Sequence, residues 1–272
     1  MLAKVYPNGK ADVNQFHAAG GMSFLIGELL DEGLLDGTAN TVWGKNLFDY
    51  ISEPILKESK IIWNTSKSQS FDTNILKHVK DPHQKNGGLK MLDGNIGKAV
   101  IKISAVKKEH QKIKAPAMVF DNQIEVKTAY EKGLLNRDVI IVVRYQGPKA
   151  NGMPELHALT PMLSNIQDLG FKVALLTDGR MSGASGKVPA AIHVTPEAID
   201  NGVIGKIKNG DIIEIDGGLG KMELKEDFNN RKINFPDLSN NHIGFGRNLF
   251  SLLRKNASSA ENGAGLNLFN TF

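Results

Sequence analysis

The sequence predicts an α/β protein in two parts that divide near Gly87-Gly88. Before that point apolar residues recur mainly at helical spacing, and after it short β-type runs alternate with helical segments. Two of these runs, Val139 to Val143 and Val173 to Leu176, are apolar throughout and are followed at once by polar, glycine-rich loops. Such runs fit buried strands, and open α/β sheets place ligands outside the carboxyl ends of their strands. The stretch from Arg144 to Lys187 is therefore where chemistry is expected.

Taken in order, Met1 to Asp12 reads as extended, with Pro7-Asn8-Gly9 as a turn signal. Val13 to Gly33 reads as a helix whose apolar face carries Phe16, Met22, Leu25, Ile26, Leu29 and Leu30, interrupted by Gly20-Gly21. His17 beside that break reads as an ordinary helix histidine. Thr41 to Ile51 suggests a second helix and Asn74 to Val79 a short one, with a Ser/Thr/Lys-rich loop from Trp63 to Asp72 between them. Pro82 to Gly88 has linker composition, so the expected domains are 1–87 and 88–272.

Past the linker, Leu89 to Ala105 holds β-type runs punctuated by Gly94 and Gly97, and Ala115 to Phe120 is another strand. Glu125 to Gly133 reads as a helix. The strand Val139 to Arg144, a helix from Pro154 to Leu169 ended by Gly170, and the strand Phe171 to Leu176 follow. Ala190 to Thr195 is a strand, Pro196 opens a helix from its first turn, and Asp211 to Lys225 forms a hairpin around Gly217-Gly218. Asn248 to Lys255 closes the chain as a helix, and the Asn/Gly/Ser/Ala-rich tail is expected to fray.

Composition narrows the function classes. The net charge is +4, from 33 Lys plus Arg against 29 Asp plus Glu, and the lysines are scattered instead of striped, which argues against a nucleic-acid partner. No apolar run approaches bilayer length, so no membrane span is expected, and a cytoplasmic location is the default. There is no cysteine, which removes disulfides, thiolate metal sites, cysteine nucleophiles and cysteine-held iron–sulfur clusters from what this chain can build.

Glycine-rich loops suggest phosphate, but the P-loop pattern fails. Around Gly186-Lys187 the required glycine and hydroxyl positions hold Met181 and Val188, and around Gly220-Lys221 they hold Ile215 and Met222. A hydrolase elbow fails as well, because Ser182 is flanked at two residues by Arg180 and Ala184. Singly, each residue has a structural reading. Asp178 can cap a turn or pair with Arg180, and Glu155 can sit in the first turn of its helix, where the dipole favours a carboxylate. Lys149, Arg180 and Lys187 can meet a carboxylate or phosphate on charge grounds.

Three stretches together carry a resemblance: Gly147-Pro-Lys-Ala-Asn-Gly-Met-Pro-Glu-Leu-His157, Thr177-Asp-Gly-Arg-Met-Ser-Gly-Ala-Ser-Gly-Lys187 with its continuation to Ala198, and Lys4 to Asn14 with Ala18-Ala-Gly-Gly-Met22. They resemble the dihydroxy-acid/6-phosphogluconate dehydratase family, nearest its 6-phosphogluconate branch. The resemblance implies removal of water from 6-phosphogluconate to give 2-keto-3-deoxy-6-phosphogluconate, the entry to the Entner-Doudoroff route; another aldonic-acid or dihydroxy-acid substrate is the alternative. It implies Ser182 as the base that takes the proton α to the carboxylate, and Glu155 as a ligand of a divalent metal. Ser185 is a weaker candidate for a second hydroxyl role, beside Ala184 where sugar-acid relatives can carry one.

The resemblance further implies an iron–sulfur cluster whose cysteines lie in the family's N-terminal part and have no counterpart here. It implies a swivelling, β-barrel-like β/β/α domain from about residue 88, preceded by the mostly helical remnant of a doubly wound domain. Partners would be a sugar-acid phosphate, the missing N-terminal half and a second copy in a homodimer. The expectation is thus a C-terminal portion that is inactive alone. A non-catalytic, partner-binding remnant and a module that only binds sugar-acid phosphates are the competing readings.

Overall fold

The computed structural model describes residues 1–6, 8–65, 69–182 and 187–266. Contacts group the chain into two compact units, Met1–Gly87 and Gly88–Phe272.

In the first unit the expected long helix is two, α1 (Val13–Ala18) and α2 (Gly21–Asp31), because Gly20 and Gly21 both take positive φ and break the ladder between them. Asp12 caps α1 in a capping box with Gln15. Phe24, Ala19 and Leu76 form a small buried cluster. The helix expected over Thr41 to Ile51 is absent apart from a 3₁₀ turn at Phe48–Ile51. Its backbone is diverted: Thr41 N–H bonds Gly44 O, and the Thr41 and Asn46 side chains accept from Gly44 and Phe48 N–H, which competes with helix formation. Asn74 to Val79 is not helical either, because Ile75 O and Lys77 N–H pair with Lys4 and Leu2 at the N-terminus. An antiparallel hairpin, β1 (Ser52–Lys57) and β2 (Lys60–Thr65), was not anticipated.

The second unit is a closed eight-stranded barrel built from β3 (Leu89–Gly94), β4 (Gly97–Lys102), β5 (Lys112–Phe120), β6 (Val139–Val143), β7 (Val173–Thr177), β8 (Ala190–Thr195), β9 (Ile212–Asp216) and β10 (Lys221–Leu224). Around the barrel the order is β10-β3-β4-β8-β7-β6-β5-β9, with β5, β6, β7 and β8 mutually parallel and β9 antiparallel to both β5 and β10. Alternation explains the continuous apolar runs. Ile140, Val142, Ala174 and Leu176 face the barrel core with Ile101, Ile113, Ile215 and Met222. Val139, Ile141, Val143, Val173 and Leu175 face outward, where α3 (Gln123–Glu131) and α4 (Thr160–Asp168) cover them with Val126, Leu163 and Ile166. Each fully buried side chain contributes about 1.5–3 kcal/mol, so both faces of β6 and β7 help to hold the barrel.

Two further helices differ from expectation. Residues 154–159 precede α4 as a loop and a 3₁₀ turn (His157–Leu159), because Glu155 and Leu156 bridge to Arg180. Glu155 therefore lies outside a helix. After β8 there is a cis Thr195-Pro196 bond and two 3₁₀ turns, Ala198–Asp200 and Val203–Lys206, instead of an α-helix. Ala198 N–H is taken by the Asp178 carboxylate. The closing helix is α5 (Ser251–Lys255), and part of the expected frayed tail is held, with Lys98 Nζ 2.5 Å from Glu261 and Ser258 N–H on Gly265 O. Among the described residues no helix is long and apolar enough to cross a membrane.

Candidate active site at the carboxyl ends of β6 and β7

The loops after β6 and β7 are locked together by one buried carboxylate. Asp178, completely buried, accepts from Tyr145 N–H (3.0 Å), Gln146 N–H (2.8 Å) and Ala198 N–H (3.0 Å). It does not need Arg180 as a partner. Gly179 is required beside it, since a Cβ there would lie 2.6 Å from Gln146 Cβ. The Gln146 side chain ties the same loop to the end of β5 by donating to Asp121 O (2.9 Å), and accepts from Asn151 (3.1 Å).

A second buried carboxylate fixes the next turn. Glu197 accepts from Lys149 N–H (3.0 Å) and Ala150 N–H (3.2 Å), and it sits so close that a Cβ on Gly147 would be 2.2 Å from its Oε2. Asn151 is held from the far end of the chain, its Oδ1 2.6 Å from the Arg247 guanidinium. Tyr145 (φ 60°), Met153 (φ 53°) and His193 (φ 58°) are non-glycine residues in the left-handed region, and His193 N–H bonds Gly179 O. Left-handed backbone costs about 1–3 kcal/mol per residue and gathers at functional sites, where the surroundings hold it in place.

On this frame the two principal candidates meet. Glu155 Oε1 accepts from Ser182 N–H at 2.8 Å and from His157 N–H at 3.0 Å. Arg180 reaches Glu155 Oε2 at 3.6 Å and donates to Met153 O at 3.1 Å. Glu155 and Ser182 both face solvent, so the pair is reachable. Burial and the Arg180 charge push the His193 imidazole below its ordinary value, which keeps it neutral near pH 7. Of the weaker candidates, Lys149 pairs with Asp200 at 2.6 Å, Lys187 is exposed with its carbonyl facing Gln167, and Ser185 lies outside the described residues.

The buried carboxyls make a pH prediction. Burial raises Asp178 from 3.8 to about 6 and Glu197 from 4.5 to about 7, against the backbone hydrogen bonds that pull them down. The folded state therefore holds these protons to higher pH than the unfolded chain. Their contribution to stability is fully present below about pH 4, falls as pH rises through the interval to about 7, and is flat above it. Glu197→Gln should flatten the fall in unfolding free energy between pH 4.5 and about 7, by up to about 3 kcal/mol at the standard conversion. Urea melts at several pH values check this; parallel curves for the two proteins would refute it.

With no cysteine, the residues do not fit an iron–sulfur cluster. Glu155 has one oxygen occupied by two N–H groups, and among the described residues no group of three or more His, Asp or Glu side chains could hold a metal ion.

The sequence motifs drew attention to Glu155, Arg180 and Ser182 but not to Glu197, Gln146, Asn151 and Arg247, which hold the loops around them. The Glu197 signal lay inside a quoted motif, while Arg247 is 96 residues from its partner and left no local trace.

Residues 74–264 match the dihydroxy-acid/6-phosphogluconate dehydratase C-terminal model, and residues 1–50 match the N-terminal model of the same family. The chain is 51% identical over 267 residues to phosphogluconate dehydratase of Escherichia coli K12, covering 97% of this chain and 44% of that protein. It is 53% identical over 270 residues to phosphogluconate dehydratase of Rhizobium meliloti, covering 98% and 45%. Dihydroxy-acid dehydratase of Caldanaerobacter subterraneus is 38% identical over 227 residues, covering 82% and 38%. The chain thus spans less than half the length of these relatives. With a family model matched over most of its residues, the chain belongs to the dihydroxy-acid/6-phosphogluconate dehydratase family.

Proposed function

We propose that this chain contributes one wall of the active site of a sugar-acid hydro-lyase that converts 6-phosphogluconate to 2-keto-3-deoxy-6-phosphogluconate and water, a step of the Entner-Doudoroff pathway in the cytoplasm. The observation that carries the reading is the 2.8 Å hydrogen bond from Ser182 N–H to Glu155, which joins the base and the carboxylate across two loops. In this reading Ser182 Oγ, as an alkoxide, takes the proton from the carbon α to the substrate carboxylate. The electron pair forms the carbon–carbon double bond, the β carbon–oxygen bond breaks, and the resulting enol tautomerises to the keto acid.

A serine is a weak base, and a carboxylate beside it opposes the alkoxide, so positive charge is needed at the site. Arg180 supplies some of it. A divalent ion held partly by Glu155 Oε2, with ligands from beyond this chain, would add more and neutralise the substrate carboxylate. Departure of the β-hydroxyl is assigned to no residue here; it belongs to the cysteine-bearing N-terminal half, the partner this reading requires. A second copy of the enzyme in a homodimer completes the proposed assembly.

Mixing the purified chain with the cysteine-bearing half of a relative is expected to restore keto-acid formation from 6-phosphogluconate, with none from the chain alone. Activity of the chain alone would overturn the shared-site reading. No activity in a mixture shown to associate would overturn the catalytic one.

A further inference from the structure

A hollow opens where β5 and β6 end. Asp121 and Arg144 follow those strands, and with the turn at Gly205–Asn209 and the segment around Lys232 and Asn234 they enclose a cavity of about 330 Å³. Ligands in sheets with parallel strands favour such carboxyl ends. We propose that this cavity binds a phosphoryl group, from free phosphate or a small phosphate monoester, through the ammonium groups of Lys206, Lys208 and Lys232. The proposal does not rest on the dehydratase reading.

The charge balance favours an anion. Asp121 is neutralised by Arg144 Nε at 2.6 Å, while Arg144 also donates to Gly205 O at 3.0 Å. Glu125 is occupied by Asp121 N–H and the Asn122 amide. Among the described residues none of the three lysines forms an ion pair; the Lys206 ammonium lies 5.9 Å from the centre of the Phe228 ring. That leaves three cationic groups around one hollow, with a single uncompensated carboxylate.

The basic groups are also held in place by the backbone that carries them. Buried Asp211 accepts from Lys208 N–H at 2.8 Å and pairs in a fork with Arg231. Arg231 donates in turn to Lys206 O at 3.3 Å. Ile233 packs onto Gly205, where a Cβ would lie 3.0 Å from its Cδ1. The backbone of Lys206 and Lys208 is thus held by one buried carboxylate and its arginine partner, so less ordering remains to be done on binding.

Inorganic phosphate titrated into the isotope-labelled full chain should give saturable amide shifts at Lys206, Lys208, Asn209 and Lys232. The Lys208→Ala/Lys232→Ala protein should bind about tenfold more weakly. Glu125→Gln, which removes the opposing charge without touching the lysines, should bind about two- to threefold more tightly. Glycerol phosphate competing for the same amides would identify the monoester as the ligand, and failure to compete would identify free phosphate. Linear, unsaturated shifts at millimolar phosphate, shifts spread over the other lysines, or an unchanged affinity in both variants would overturn the proposal.

Discussion

Replacing Asp178 by alanine is expected to destabilise the barrel unit by about 3–5 kcal/mol. Three buried N–H groups, on Tyr145, Gln146 and Ala198, would lose their acceptor together, and each orphaned buried donor costs about 1–3 kcal/mol. Little can relax to compensate, because Gly179 already touches Gln146 and Tyr145 is wholly buried. The loss compares with a typical total stability of about 5–15 kcal/mol. Asp178→Asn should recover part of it, since one oxygen still accepts while the new amide faces a backbone donor. Urea denaturation of the three proteins decides the matter; an alanine variant within about 1 kcal/mol of the parent would show that Asp178 does not hold the loops.

How much of this could be read from the sequence depends on how local each cause is. The runs at Val139 and Val173 were legible because strands buried on both faces cannot tolerate a polar residue, and the β9–β10 hairpin because Gly217-Gly218 marks its turn. The β1–β2 hairpin was not. Its turn residues, Glu58 and Ser59, take φ of 50° and 62°, a conformation that Asn-Gly or Asp-Gly would have advertised. The segment Thr41 to Ile51 failed in the opposite direction: its composition suggested a helix, and hydroxyl and amide side chains claimed its backbone N–H groups instead.

At the site, the family resemblance named Glu155 and Ser182 and charge named Arg180, but neither told what holds them. Asp178 looked like a turn residue because its partners are 20 to 33 residues distant, and the three that matter are main-chain groups whose identity the sequence does not encode. Glu197 was hidden for the same reason, its acceptors' donors being the backbone of Lys149 and Ala150. The frame is thus made of side chain to main chain bonds between loops, and these appear only once the barrel has brought β6, β7 and β8 side by side.

Ser182→Ala, tested in the reconstituted enzyme, should lower the turnover of 6-phosphogluconate by about 10²–10⁴-fold, the usual contribution of a positioned general base. The geometry makes this a clean experiment. The bond that joins the two loops comes from the main chain of residue 182, so alanine keeps the contact with Glu155 and removes only the hydroxyl. Substrate KM should stay near that of the parent while kcat falls. Glu155→Gln should behave differently, since it keeps an acceptor for the Ser182 and His157 N–H groups but loses the charge that faces Arg180 and any bound cation. It should raise KM as well as lower kcat, and its deficit should shrink with added divalent metal. If Ser182→Ala instead retained kcat, or lost activity only through KM, the base would have to be sought elsewhere on this wall. The neutral, half-buried His193, whose N–H already bonds Gly179, would then be the group to test next.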